Sequence, residues 1–137
     1  MEILSIENEN GQFLGLAITI QHNDIVLLDY FAIEENMRGM GMGSQALTSL
    51  FARYPGKRVM LEIERSDIPC DNQEQRTRRK AFYLRCGMAP MPYLVNLFGV
   101  EMEILTKDCR VDYDEYHSIF CHVFSPTLAK NVQKCNT

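Results

Sequence analysis

Apolar and polar positions alternate through the first quarter of the chain, and turn residues break the alternation twice. Glu2 to Glu7 and Phe13 to Gln21 read as β-strands joined at Asn8-Glu9-Asn10-Gly11, where Asn-Gly is a strong hairpin signal. His22-Asn23-Asp24 makes a second turn into a strand from Ile25 to Ile33, completing a three-stranded meander. Ile25-Val26-Leu27-Leu28 has no polar face and belongs near the centre of a sheet, whereas Asp29 and Tyr30 interrupt the strand near its C-terminal end.

The period then changes. Ala46, Leu47, Leu50, Phe51 and Tyr54 recur at helical spacing between Ser44 and Tyr54, and Pro55-Gly56 stops the stripe. Val59, Leu61 and Ile63 alternate with Met60, Glu62 and Glu64, which predicts a strand with both glutamates on one face. Strand, helix, strand in this order implies a parallel, right-handed crossover that sets this strand beside residues 25–33. Ser66 to Asn72, with Pro69, reads as a loop, and Gln73 to Cys86 as a polar helix closed by Gly87. Met91 to Leu97 and Val100 to Lys107 read as strands around Phe98-Gly99. Tyr113, Tyr116, Ile119, Phe120, Val123 and Phe124 mark a last helical stripe from Asp112, ending before Pro126. Lys130 to Thr137 are expected to fray.

Composition narrows the class. With 137 residues, 46% of them hydrophobic, the chain is long enough for one compact domain and too apolar for wholesale disorder. Fourteen basic against 18 acidic side chains give a net charge of −4, so no global field attracts nucleic acid or anionic lipid. The longest apolar stretch, Phe13 to Ile20, is broken by Gly15 and falls far short of the roughly 20 residues of a membrane helix. The start, Met1-Glu2-Ile3, has no basic or apolar leader character, and a cytoplasmic chain is expected. Cys70, Cys86, Cys109, Cys121 and Cys135 are odd in number and contain no C-x-x-C pair, so they read as reduced thiols with no metal framework. Adjacent Cys121 and His122 point apart on a helix, which disfavours a zinc site there.

Gly39, Gly41 and Gly43 crowd into five residues between a strand end and a helix start. Glycine lets successive N–H groups converge without Cβ obstruction, and the helix start adds unpaired donors and the positive end of its dipole, so the loop suits a phosphate or pyrophosphate. The nucleotide P-loop, G-x-x-x-x-G-K-S/T, is excluded because no lysine lies between Gly39 and Lys57. A dinucleotide-binding G-x-G-x-x-G fits poorly, since Ser44 stands at its third glycine when the pattern starts at Gly39. The basic run Arg76-Thr77-Arg78-Arg79-Lys80 cannot share one helical face; it reads mostly as solvated, with one or two residues able to reach a phosphate or an acidic partner.

Arg38-x-x-Gly41-x-Gly43 matches the Q/R-x-x-G-x-G/A signature of the GNAT family of N-acetyltransferases, in a strand–loop–helix context like that family's. Tyr83-x-x-x-Gly87-Met88 is similar to the second signature, Y-x-x-x-G-F, with Met88 in place of phenylalanine and the preceding Ala81-Phe82 contracted. The resemblance covers residues 1 to 107 and implies an α/β fold with a mixed sheet, without the family's usual first strand and two helices and with an extra C-terminal helical segment, 108–137, packed on the same domain. It implies acetyl-CoA as co-substrate, no metal, and a small-molecule or peptide amine as acceptor. Nucleic acid and membrane are not expected partners; a homodimer is compatible.

By the same resemblance Phe31, Ala32 and Ile33 pair with the pantetheine arm, and Arg38, Gly39, Met40, Gly41, Met42, Gly43 and Ser44 hold the pyrophosphate. Tyr83 takes the place of the general acid on the departing thiolate, and Glu62 that of the general base, ahead of Glu64 and Asp29. Arg76 stands where many relatives have a pantetheine-binding asparagine. The proton balance shows why a base matters. Deprotonating a lysine ε-amine at pH 7 costs about 4.6 kcal/mol, against roughly 1.4 kcal/mol for an α-amine. Direct transfer to a primary amine in a ternary complex is the expected reaction; an acyl-CoA-binding or protein-interaction module without turnover is the alternative. The stretch Asp112 to Phe124 is expected to cover apolar sheet surface.

Overall fold

The Asn-Gly turn is held by side chain as well as backbone: Asn8 Oδ1 accepts from the amides of Asn10 and Gln12, both at 2.9 Å, and Gly11 takes φ 77°. This is seen in a computed structural model that describes residues 1–35 and 41–135. The chain divides into two compact units, Met1–Val59 and Met60–Thr137.

In the first unit β1 (Glu2–Glu7), β2 (Phe13–His22) and β3 (Ile25–Ile33) form the predicted antiparallel meander. Val26 and Leu27 are fully buried, as a run with no polar face requires. Ile18 pairs with Tyr30 while Thr19 pairs with Leu28, so Asp29 is the extra residue of a β-bulge. Helix α1 (Met42–Arg53) buries Leu47 and Leu50. At its C-terminal end the Thr19 hydroxyl donates to Tyr54 Oη and Tyr54 donates to Glu2, each at 2.7 Å. That chain of bonds satisfies the buried Thr19 hydroxyl. The helix begins two residues before the predicted start because Gly41, at φ 75° and ψ 5°, turns the backbone directly into it, and Gly43 is carried inside despite its poor propensity. Arg58, first residue of β4 (Arg58–Glu64), forks onto Asp24 at 2.7 and 2.9 Å.

In the second unit residues 60–64 of β4 pair antiparallel with β6 (Val100–Lys107), which pairs with β5 (Met88–Leu97), which pairs with β7 (Val132–Lys134). Helix α2 (Gln73–Arg85) ends at Cys86 followed by Gly87 at φ 92°, the predicted C-terminal glycine. Strand β5 begins three residues before the predicted start, at Met88, and its ladder to β6 is interrupted between Pro90 and Leu94, where Pro92 needs no partner. Phe98 at φ 51° and Gly99 at φ 91° make the two-residue turn into β6.

Helix α3 (Tyr113–Ile119) starts in a capping box of Asp112 and Glu115 and runs on as a π-helical turn, Phe120–Phe124. Tyr116 and Ile119 are fully buried and Phe120 nearly so, whereas Val123 and Phe124, the end of the predicted stripe, are exposed. The expectation of a frayed tail is corrected for residues 130–135, while 136–137 lie outside the described residues. Ser125 caps a short helix α4 (Pro126–Ala129), and β7 then adds a strand to β5, burying Val132. Backbone pairing to a sheet edge orders this segment, although its sequence offers one apolar residue in three.

Candidate active site

Of the residues assigned to the pyrophosphate, Arg38, Gly39 and Met40 lie outside the described residues. Gly41, Met42, Gly43 and Ser44 form the entry to α1, whose first turn contains no acidic residue and no capping side chain. Its leading amides and dipole therefore favour an anion. The capping box of α3, with Asp114 and Glu115 in its first turn, occupies the equivalent donors and charge. A Cβ on Gly41 would meet nothing within 4 Å, so its glycine is required by the positive φ alone.

Phe31, Ala32 and Ile33 end β3, paired with Ala17, Leu16 and Gly15 of β2. Here a second glycine is required for a different reason: a Cβ on Gly15 would lie 2.0 Å from the Ala32 carbonyl oxygen. The two backbones approach that closely just where the pantetheine strand is assigned, with the Asp29 bulge upstream. Partial desolvation raises the carboxyl of Asp29, itself an exposed residue of β3, above its ordinary pKa.

The second unit holds the acid–base candidates. Tyr83 on α2 is 7% exposed, and its ring meets that of Phe82 edge-on with centroids 5.2 Å apart. Its hydroxyl makes no hydrogen bond among the described residues. Burial pushes its pKa up to about 12, with Arg79 pulling the other way.

Glu62 accepts a hydrogen bond from Tyr116 of α3. Burial and the Glu62 charge together raise the Tyr116 phenol well above its ordinary value. Glu64 is held by Arg76 at 2.6 Å and Arg79 at 3.8 Å, and Arg76 also donates to the Arg65 carbonyl at 3.1 Å. Lys80 pairs at 2.7 Å with Glu103, which is 9% exposed. The basic run is thus less solvated than expected, since all four of its charges meet carboxylates of the same unit, and only the Arg78–Glu74 pair at 3.5 Å is exposed at both partners. Arg76 is committed to an internal ion pair at the position where pantetheine contact was in question.

Tyr116 was legible only as one apolar position in a stripe. The signal that marks it is chemical: a tyrosine at a core position brings a hydroxyl that must find a partner. Among the described residues no group of three or more His, Cys, Asp or Glu side chains is arranged to hold a metal ion, and no helix is long and apolar enough to cross a membrane.

No protein-family model matches the sequence, and no curated protein matches it by sequence. Solved structures do match in shape. A GNAT-family acetyltransferase from Bacteroides thetaiotaomicron superposes with a TM-score of 0.69 at 19% identity, over 87% of this chain and 70% of that one. The fold is that of the GNAT acetyltransferases. An aminoglycoside 6'-N-acetyltransferase complexed with coenzyme A gives a TM-score of 0.60 at 16% identity, over 80% of this chain and 74% of that one. An N-acetyltransferase from Staphylococcus aureus gives 0.57 at 16% identity, over 76% and 68%. The GNAT expectation drawn from two short motifs therefore holds for the fold.

Proposed function

We propose that this chain is an acetyl-CoA-dependent N-acetyltransferase acting on a primary amine by direct attack within a ternary complex. The supporting observation is the pairing of two features of a GNAT fold. One is a helix start with an acid-free first turn and no side-chain cap following the glycine loop; the other is Tyr83 on α2, a buried residue whose hydroxyl makes no hydrogen bond among the described residues. A diphosphate suits the donors at Gly41 to Ser44, with Arg38, Gly39 and Met40 leading into them. The exposed part of Phe31, Ala32 and Ile33 offers backbone to pantetheine.

In the reaction the neutral amine attacks the thioester carbonyl carbon, a C–N bond forms, the C–S bond breaks and the sulfur leaves as thiolate. Full proton transfer from a phenol near pKa 12 to a thiolate whose acid has pKa near 8.5 is uphill by roughly 5 kcal/mol. Tyr83 therefore acts by donating a hydrogen bond to the charge as it develops. The amine proton passes to Glu62, directly or through water, with Tyr116 fixing the carboxylate. Glu64, neutralised by two arginines, is the poorer base.

Release of free CoA, followed with a thiol reagent across a panel of α-amines, lysine peptides, polyamines and aminoglycosides, tests the proposal. Amine-dependent release is expected, falling about 100-fold in Tyr83→Phe with acetyl-CoA affinity unchanged. Tight acetyl-CoA binding with no amine-dependent release would instead identify a non-catalytic acyl-CoA-binding module, a reading favoured by the commitment of both glutamates to protein partners. Absence of acetyl-CoA binding by folded protein would sink both.

A further inference from the structure

The first unit contains an open cleft of about 600 Å³ between β1, β2 and α1, within the range of small-molecule sites. Its cause is a convergence of small residues. Across the ladder Leu4 faces Ala17 and Ile6 faces Gly15, and α1 turns Ala46 and Ser49 toward the same space. None of these four can fill the gap between strand and helix. Leu4 and Ile6 consequently stay half-exposed on the side facing α1, while Leu14 and Leu50, at 4% and 7% exposure, form a buried apolar floor.

The charge at the rim is one-sided. Arg53 is the one cation among the described lining residues, and Glu2 engages it at 3.0 Å. Asn8 is spent on the turn, its oxygen accepting two backbone amides and its nitrogen donating to Gln12. Glu7 and Glu9 remain, both exposed and with no ion pair among the described residues. An apolar trough bordered by two carboxylates that have no ion pair among the described residues selects a molecule with an apolar body and a cationic head.

We propose that this cleft binds an amphipathic primary amine, its hydrocarbon part lying along Leu4, Ile6, Leu14 and Leu50 and its ammonium group at Glu7 and Glu9. Its described lining comes from residues 4–17, Phe31 and residues 42–53, and the proposal does not depend on the acetyltransferase reading.

Octylamine, octanol and octanoate, each below its micellar concentration, serve as probes in calorimetric titration of the full chain, with leucine and isoleucine methyl NMR reporting location. Octylamine should bind saturably, at least tenfold more tightly than octanoate, and shift the Leu4, Ile6 and Leu14 methyls. The double variant Glu7→Gln/Glu9→Gln should lose about tenfold in octylamine affinity and leave octanol unaffected. Ser49→Trp, at an exposed helix position, should fill the cleft and abolish binding while circular dichroism stays unchanged. No saturable binding to the native chain, equal binding of octanoate, methyl shifts confined elsewhere, or undiminished binding by folded Ser49→Trp would each overturn the proposal. If Ser49→Trp does not fold, the three-probe ranking and the methyl map on the native chain decide it.

Discussion

The two units treat polar groups in opposite ways. In residues 1–59 the groups proposed to meet the cofactor are, Arg38 apart, backbone atoms, and the ion pairs Arg53 with Glu2 and Arg58 with Asp24 lie toward the surface. In residues 60–137 surface pairs such as Arg110 with Asp112 are joined by charge carried inward: Glu103 with Lys80, Glu62 with Tyr116, Glu64 with Arg76. A site made of backbone tolerates most side-chain change and fails at the glycines that shape it. A site made of buried pairs fails wherever one partner is removed, because the other is left charged and desolvated.

Gly15→Ala should have the largest effect in the first unit. The added Cβ would sit 2.0 Å from the Ala32 oxygen and 2.9 Å from Ile33 Cα, both backbone atoms that can yield only by opening the β2–β3 ladder. A loss of about 3 kcal/mol in urea unfolding is expected, together with loss of acetyl-CoA binding as the 31–33 strand shifts. Gly11→Ala is the control: it meets nothing within 4 Å and pays only for its φ of 77°, about 1 kcal/mol. Equal costs at the two glycines would break the contrast drawn for this unit.

In the second unit Lys80→Met should cost about 3 kcal/mol by stranding Glu103, whose Oε2 already lacks a hydrogen bond. Adding Glu103→Leu should recover most of that loss, since a buried pair can be exchanged for apolar packing. A double variant as unstable as Lys80→Met alone would mean that packing of the lysine stem, and not its charge, is what the unit requires.

The same contrast governs what the sequence made legible. Backbone sites leave glycines behind: Gly41 and Gly87 were assigned to a helix start and a helix end from position, and both have the required positive φ. The β1–β2–β3 meander and the β5–β6 hairpin followed from alternation and turn residues, whereas the pairing of β4 with β6 did not. Pairings between distant side chains leave no local trace. Glu62 and Glu64 looked like one polar face, yet their partners lie 54 and 12 residues away, on α3 and α2. The Gly15 close approach was hidden for the same reason, since it depends on β3 and on the bulge at Asp29. The ordered tail escaped because β7 is held by ladder bonds to β5, which three residues of sequence cannot announce.

Tyr116→Phe should be the mildest of these changes and the most informative about the second unit. The ring stays, its edge-on contact with Phe120 at 5.3 Å is kept, and only the hydroxyl that donates to Glu62 is lost, at about 1.5 kcal/mol. The pH dependence separates this bond from packing. Burial first and the Glu62 charge second raise the phenol's pKa in the folded chain, so its contribution is whole below the unfolded value near 10 and is lost as pH rises beyond it. Each unit above 10 removes about 1.4 kcal/mol from the native chain and nothing from the variant at this position. Urea stabilities of the two proteins should therefore differ steadily from pH 7 to 9 and converge near pH 11. A gap that persists undiminished at pH 11 would assign the cost to packing, and the carboxylate in the second unit would then be held by something other than the tail.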